Sequence, residues 1–317
     1  MYNFDPGTIR LGISSCVLGN EVRFDGGHRR SPYCTQVLSN YVEYIPLCPE
    51  TAIGLDVPRP SIQLRRLADG ISAVSASGQD LGAALSDYGR RMARQLDFIS
   101  GYIVCAKSPS CGMERVRVYD RNGANPAKEG VGLYTQQLMQ HNPLLPIEEN
   151  GRLNDPVLRE NFITRVYAYH DWKCLMHDGL TASSLVAFHS RNKFLLLAHD
   201  PKTYYQLGPL LSDLSRDLEA RAEEYIERFM QALAKVATRK RQCNVLQHIQ
   251  GFFKDHLSAS QREELTEVIE RYRVGVAPLM APLTLINHFL REHPNAYLDQ
   301  QRYLKPYPDS LALRYGM

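Results

Sequence analysis

Apolar positions in the first 120 residues fall into short strand-like runs separated by a helical pattern. Residues 9–14 (IRLGIS), 42–47 (VEYIPL) and 101–106 (GYIVCA) are rich in β-branched and aromatic side chains and end in turn-formers, which predicts three strands. Between the last two, Leu81, Leu85, Tyr88, Met92 and Leu96 recur every three or four positions, so 78–100 is predicted as an amphipathic helix. Strands separated by helices predict an α/β domain built on a mainly parallel sheet. Residues 142–155 (NPLLPIEENGRLND) concentrate proline, glycine, asparagine and acidic residues without a period, and read as a linker or exposed loop.

Beyond residue 155 the pattern lengthens. Leu211, Leu214, Leu218, Tyr225, Phe229, Leu233 and Val236 line one face of a helix expected over about 209–238. Ser260 followed by Glu263 has the form of a capping box, opening a helix that ends near Gly275. Pro282 starts or kinks a further helix, PLTLINHFLREH. The expected organisation is therefore an α/β domain over 1–155 followed by an all-α domain over 156–317.

Composition adds two constraints. With 44% apolar and 22% charged residues the chain has the profile of a soluble globular protein. The start, MYNFDPGTIRLG, shows no basic region leading into an apolar stretch, so no secretory signal is read and a cytoplasmic location is expected. Residues 274–290 are the longest candidate membrane segment, but Pro278, Pro282, Asn287 and His288 interrupt them, and no membrane association is expected. The net charge of +3 lies wholly beyond residue 150, where 22 basic residues face 19 acidic ones. That bias is too weak to argue for nucleic acid as a partner. Its local concentration, Lys235 with Arg239, Lys240 and Arg241, falls at an expected helix C-terminus, where cations suit the helix dipole.

Seven cysteines in a chain without an export signal point to metal binding, catalysis or plain burial rather than disulfides. Cys16, Cys48 and Cys111 each follow the carboxyl end of a predicted strand, and in an open parallel sheet those ends share the edge where ligands bind. Thiolates are soft ligands that suit iron–sulfur clusters, zinc or copper. The plainer reading of each is a small buried hydrophobe. Loops with site-like chemistry surround them: CPE places Glu50 beside Cys48, KSPSCG puts Lys107 and Ser108 before Cys111, and VRFDGGHRR carries Arg23, Asp25, Gly26, His28, Arg29 and Arg30. Cys34 and Cys105 lie outside these patterns and read as structural; the alternative is that one of them joins a metal centre there as a fourth ligand. His170, Cys174 and His177 share a helix face at i, i+4 and i+7, without an evident fourth ligand. Neither G-x-G-x-x-G nor G-x-x-x-x-G-K-[ST] occurs, so dinucleotide and P-loop readings have no support.

Four motifs in order, ISSCVLG, VRFDGGHRR, CPE-x-x-IGL-x-VPR and KSPSCG, resemble the thiouracil desulfidase family over roughly residues 8–150. The second half, through NKFLLLAHDPKTYYQLG, PLTLINHFLREHP and YLDQQRYLKPYP, resembles the YbgA-like family. The first resemblance implies a [4Fe–4S] cluster held by Cys16, Cys48 and Cys111, with one iron open to the sulfur of a thiolated pyrimidine such as thiouracil or 4-thiouridine monophosphate. It implies hydrolysis of C=S to C=O with release of sulfide. Glu50 is the candidate for activating water or moving its proton, and Ser108 for hydrogen-bonding the ring or relaying a proton. Asp25, in the loop turned by Gly26, is a candidate reader of a ring N–H, while Arg23, Arg29 or Lys107 would take a phosphate.

Each role has a plainer counterpart. Glu50 reads equally as an acid at a helix N-terminus, Ser108 as a turn-former, and Arg29 and Arg30 as solvated surface. Two rival functions remain open: a module binding thiolated RNA through the helical domain, and a redox-sensing or structural metal site. The helical domain is left with three roles: covering the site, forming a homodimer or recruiting a partner.

Overall fold

The three expected strands form within two residues of their predicted limits, and a fourth joins them. The protein is described here by a computed structural model covering residues 3–315. Its chain divides into two compact units, Met1–Asp155 and Pro156–Met317. The strands of the first unit are β1 (Arg10–Ser14), β2 (Glu43–Leu47), β3 (Ile62–Leu67), β4 (Gly70–Ser75), β5 (Gly101–Val104), β6 (Val116–Tyr119), β7 (Ala127–Gly130) and β8 (Ile147–Glu149); its helices are α1 (Pro49–Ala52), α2 (Gly82–Gln95) and α3 (Leu133–His141). One sheet runs β2-β1-β5-β8 and is parallel throughout. The chain leaves β1 toward β2, then crosses back to β5 and β8. The strand order therefore reverses between β1 and β5, and the carboxyl edge there is where such sheets bind ligands.

The register brings strand ends level. Ser14 pairs with Leu47, Ile13 with Ile103, and Val104 with Glu149, so one more step along each chain sets Cys48, Ser15 and Cys105 side by side at the edge. Gly12 is required by close packing: a Cβ there would lie 2.2 Å from the Tyr102 ring. Tyr102 in turn meets Tyr134 of α3 edge-on, and Tyr134 stacks on Tyr88 of α2. This aromatic chain ties both helices to the strand that precedes the Cys111 loop.

A second sheet, β4-β3-β6-β7, was not foreseen. Its first hairpin joins Leu67 to Gly70 through the two residues Ala68 and Asp69, and β6 and β7 form another antiparallel pair. Leu64, Ala73, Val116 and Val118 pack with Leu81, Leu85 and Leu133 into one core. The Cys111 loop connects the two sheets. The expected linker at 142–155 also needs correction. Ile147, Glu148 and Glu149 are buried as strand β8, because pairing with β5 satisfies a backbone that the turn-forming neighbours made look exposed.

The second unit is helical, as expected: α4 (Pro156–Asp178), α5 (Ala182–His199), α6 (Pro201–Leu210), α7 (Leu218–Ala234), α8 (Arg239–Gly251), α9 (Ala259–Arg273), α10 (Met280–Glu292) and α11 (Ala296–Asp299). No described helix is long and apolar enough to cross a membrane. The single helix expected over 209–238 is two, broken where Asp213 accepts from the amide and hydroxyl of Ser215, a local bond that competes with the helical one. The capping box belongs to Ser258 and Gln261, two residues before the expected pair. Lys235 stands at the end of α7 as expected, but Arg239, Lys240 and Arg241 open α8, where their charges oppose the dipole. Lys235 pairs with Asp200 at 2.5 Å, Arg241 donates to the His199 carbonyl at 2.6 Å, and Arg239 donates to the Tyr272 carbonyl at 2.8 Å.

Burial pushes His189 and His199 down to about 4, well below the ordinary 6.5. The folded unit therefore binds these imidazoles neutral, and the unfolded chain protonates first as pH falls. Stability from this source is full above pH 6.5 and is expected to fall between 6.5 and about 4, by at most about 3 kcal/mol per histidine. Trp172, the one tryptophan, is buried against Phe188 and Tyr225, so urea unfolding followed by its fluorescence reads this unit. A midpoint that does not move across that pH window contradicts the assignment.

Candidate functional site

Four thiols from three loops meet at the carboxyl edge of the parallel sheet. Cys16 sits in a single 3-10 turn (Ser15–Leu18) directly after β1, Cys48 between β2 and α1, Cys105 directly after β5, and Cys111 in the loop toward β6. Cys16, Cys105 and Cys111 are buried and Cys48 is half-buried. The Cys105 sulfur lies 3.9 Å from the Ala106 carbonyl. The Ser14 hydroxyl, at the end of β1, accepts the Cys105 amide at 3.0 Å and ties the end of β5 to that of β1. Cys48 lies 3.9 Å from the Val22 carbonyl, facing the glycine-containing loop.

The thiols act on one another electrically. The neighbouring Cys105 thiol, burial, and the charges of Cys111 and Cys48 push the Cys16 thiol far up. Burial, with Cys105 and Glu50, pushes Cys111 up as well. Cys105 moves the other way, drawn down by the neighbouring Cys16 thiol and by the guanidinium charges of Arg23 and Arg29. Sequence reading leaves Cys105 as a structural residue or a fourth ligand. β5 ends level with β1 and brings Cys105 to the same edge as Cys16.

The Cys111 loop is held from several sides. Ser108 accepts the amides of Ser110 at 3.2 Å and Cys111 at 3.1 Å, so the turn-forming reading of Ser108 describes what it does locally. Thr135 donates to the Cys111 carbonyl at 2.7 Å. Gly132 lies so close that a Cβ would stand 2.5 Å from the Ser110 carbonyl carbon. Glu149 accepts the amide of Met113 at 3.0 Å; burial pushes its carboxyl up, and the amides of the Cys111 loop oppose the shift. Lys107 has a left-handed backbone (φ 62°) and an exposed side chain. Glu149 escaped sequence reading because it lay in the segment taken for a linker.

Glu50 stands in the first turn of α1, as its plainer reading required, yet its carboxylate is aimed into the site. One oxygen accepts from Arg59 Nε at 2.9 Å and Nη2 at 2.6 Å; the other accepts the Ser110 hydroxyl at 2.7 Å. Arg59 also donates to the carbonyls of Val22, at 2.8 Å, and Asp56, at 3.1 Å, so it fastens the glycine-containing loop to α1. It is the arginine of the VPR motif, and its part in the site was not anticipated. Arg29 donates its amide to the Cys16 carbonyl at 2.8 Å, which folds that loop back over the cysteine turn. At its tip Gly26 is left-handed (φ 75°), and the exposed Asp25 is held low by the Gly27 amide and by Arg23, 3.5 Å away. Arg30, which packs at 3.3 Å on Thr35, is exposed, as read.

Cys34 occupies a separate buried turn, where its carbonyl accepts the Tyr44 hydroxyl at 2.9 Å. His170, Cys174 and His177 do share α4. Among the described residues no three of His, Cys, Asp and Glu close tightly enough on one point to hold a single metal ion. An iron–sulfur cluster asks for something else, since each thiolate meets a different iron and the sulfurs stay apart. Buried, purely sulfur donors from separate loops fit that group.

Residues 11–150 match the family model described as 2-thiouracil desulfurase, and residues 193–308 match that of a protein of unknown function, DUF1722. The uncharacterized protein YbgA of Escherichia coli (strain K12) is 35% identical over 159 residues, which is 50% of this chain and 94% of the relative. The chain belongs to the YbgA family and carries a 2-thiouracil desulfurase domain. A solved structure, the [4Fe-4S]-dependent thiouracil desulfidase TudS, is 28% identical, covers 47% of this chain and 95% of its own, and superposes with a TM-score of 0.38. The four thiols, Glu50 and Arg59 all fall inside the 2-thiouracil desulfurase domain. The basic run falls within the segment that matches DUF1722, where Lys235, Arg239 and Arg241 are engaged internally.

Proposed function

We propose that the N-terminal domain removes sulfur from a thiolated pyrimidine, thiouracil or 4-thiouridine monophosphate, and releases it as sulfide. The observation that carries this reading is the meeting of buried and half-buried thiols from three sequence-distant loops beside the Glu50–Ser110 hydrogen bond. Cys16, Cys48 and Cys111 would hold a [4Fe–4S] cluster. When bound, that group supplies a soft Lewis acid that polarises the C=S bond toward attack by water.

The chain's own residues then bind and move protons. Arg59 holds Glu50 in place, and Ser110 connects the carboxylate to the loop of Cys111, so a proton from the attacking water has a short path to Glu50. Ser108 takes two amides on its oxygen and keeps its hydroxyl hydrogen to donate toward a ring atom. Asp25, held as a carboxylate, accepts a ring N–H, while Arg23 and Arg29 carry the positive charge a 5′-phosphate would meet. In balance, C=S and one water give C=O and hydrogen sulfide, with no net electron transfer.

Side-by-side sulfide release from thiouracil and 4-thiouridine monophosphate, after anaerobic reconstitution, tests the reading; release from neither overturns it. Replacing Arg29 by alanine is expected to raise KM for the nucleotide about tenfold, roughly the worth of one charge-assisted hydrogen bond, and to leave KM for the free base unchanged. Equal effects on both substrates remove Arg29 from the phosphate role.

A further inference from the structure

We propose that Cys105 is a fourth, exchangeable thiolate of this centre, closing on the iron that the other three cysteines leave open and giving way to the sulfur of the substrate. The inference rests on the desulfidase reading above and adds a ligand to it.

Sheet register is the first support. Ser14 and Val104 end neighbouring parallel strands, so Cys105 emerges on the same edge as Cys16 and Cys48, at the point where strand order reverses. Anchoring is the second. The Cys105 amide donates to Ser14 at 3.0 Å and the next amide, of Ala106, donates to Asn150 Oδ1 at 3.0 Å. With the main chain pinned on both sides, rotation about Cα–Cβ is the freedom left to the thiol. Its sulfur lies within electrostatic reach of those of Cys16 and Cys111.

Chemistry is the third. The nearby oxygen donors are committed: Ser14 to the Cys105 amide, Ser108 to two amides, Ser110 to Glu50, and Glu50 to Arg59. A soft iron left by three thiolates takes the fourth soft donor in reach, and Arg23 and Arg29 offset the added negative charge. In the exchange one iron–thiolate bond breaks and one bond from iron to the thiocarbonyl sulfur forms. No electron is transferred, and the released Cys105 sulfur takes up a proton and turns to the Ala106 carbonyl, 3.9 Å away. A thiol at this position would keep the centre closed to water and small oxidants until substrate arrives.

The test compares wild type, Cys105→Ser and Cys105→Ala, all full-length and anaerobically reconstituted, with Cys111→Ala as reference. Iron and labile sulfide are counted, Mössbauer spectra are recorded without substrate, and loss of one iron to ferricyanide is timed. Both Cys105 variants are expected to keep a four-iron cluster, to show one iron distinct from the other three where wild type shows none, and to lose that iron about tenfold faster. Serine fills nearly the same volume, so a folding defect confined to alanine leaves the serine result standing. Spectra and iron loss identical to wild type overturn the proposal, as does iron loss from Cys105→Ser as complete as from Cys111→Ala. An iron-free wild type would overturn the cluster reading itself, which is a different outcome from either.

Discussion

Replacing Cys111 by alanine is expected to leave a folded protein that retains little iron and releases sulfide slower by about 10³-fold or more. The expectation is strong because so much of the domain serves this one sulfur. Ser108 caps its turn, Thr135 holds its carbonyl, and Glu149 accepts the Met113 amide that follows. None of these bonds uses the Cys111 side chain, so the loop survives the substitution and the fold with it. Iron counting together with far-UV circular dichroism separates the outcomes. Full iron content and unchanged sulfide release in a folded variant would remove Cys111 from the ligand set.

Substitution of Arg59 by alanine is expected to cost stability more than any other single change in the site, about 3–5 kcal/mol, because it strips the partner from a buried carboxylate. The guanidinium side chain is 4% exposed and that of Glu50 14%, so solvent screens the pair little. In a domain of this size the loss corresponds to a fall in Tm of roughly 10 °C. It also frees Glu50 from the orientation in which its other oxygen meets Ser110, so activity falls with stability. Arg59→Lys does not rescue, since a point charge cannot donate at once to Glu50, Val22 and Asp56. The double variant Arg59→Met with Glu50→Gln separates the two effects: removing both charges restores most of the stability while activity stays lost. Differential scanning calorimetry and sulfide-release rates of wild type, Arg59→Met, Glu50→Gln and the double variant make the cycle. Restoration of activity in the double variant would assign Glu50 a purely structural part.

How far these residues could be read from sequence depended on what each one advertises. β1, β2 and β5 are dense in β-branched and aromatic residues and stop at turn-formers, so their limits and the cysteines beyond them were legible. Cys105 was not, because inside GYIVCA it looks like one more buried apolar residue of a strand. Only the pairing of Ile13 with Ile103 reveals that it ends beside Cys16. Glu149 was hidden by its neighbours: proline, asparagine and glycine around it signal a loop, while a three-residue strand is too short to show a period. Arg59 lay in a recognised motif, yet sequence alone does not tell that its guanidinium turns back nine residues to Glu50. The second sheet was overlooked for a different reason. Its first hairpin turns on Ala68 and Asp69 before Gly70, a short-range signal that the long helical periodicity after residue 78 overshadowed.

In the helical unit the misplacements share one cause. Leu211 and Leu214 fit the spacing of α7, but the polar residues between them and Leu218 make local bonds that end one helix before the next begins. Hydrophobic spacing predicts which face is buried better than it predicts where a helix stops. The same unit shows why a basic cluster is weak evidence for a nucleic-acid surface: three of its four cations are held by groups of the protein itself.

The most direct test of the central claim is sulfide release measured against iron content. Anaerobically reconstituted protein, loaded to a series of iron occupancies, is supplied with thiouracil and with 4-thiouridine monophosphate, and sulfide is counted per chain. The account predicts release from at least one substrate, rising in proportion to the fraction of chains holding a four-iron cluster and vanishing in the iron-free protein. Release that is independent of iron, or none from either substrate at full cluster occupancy, would contradict it.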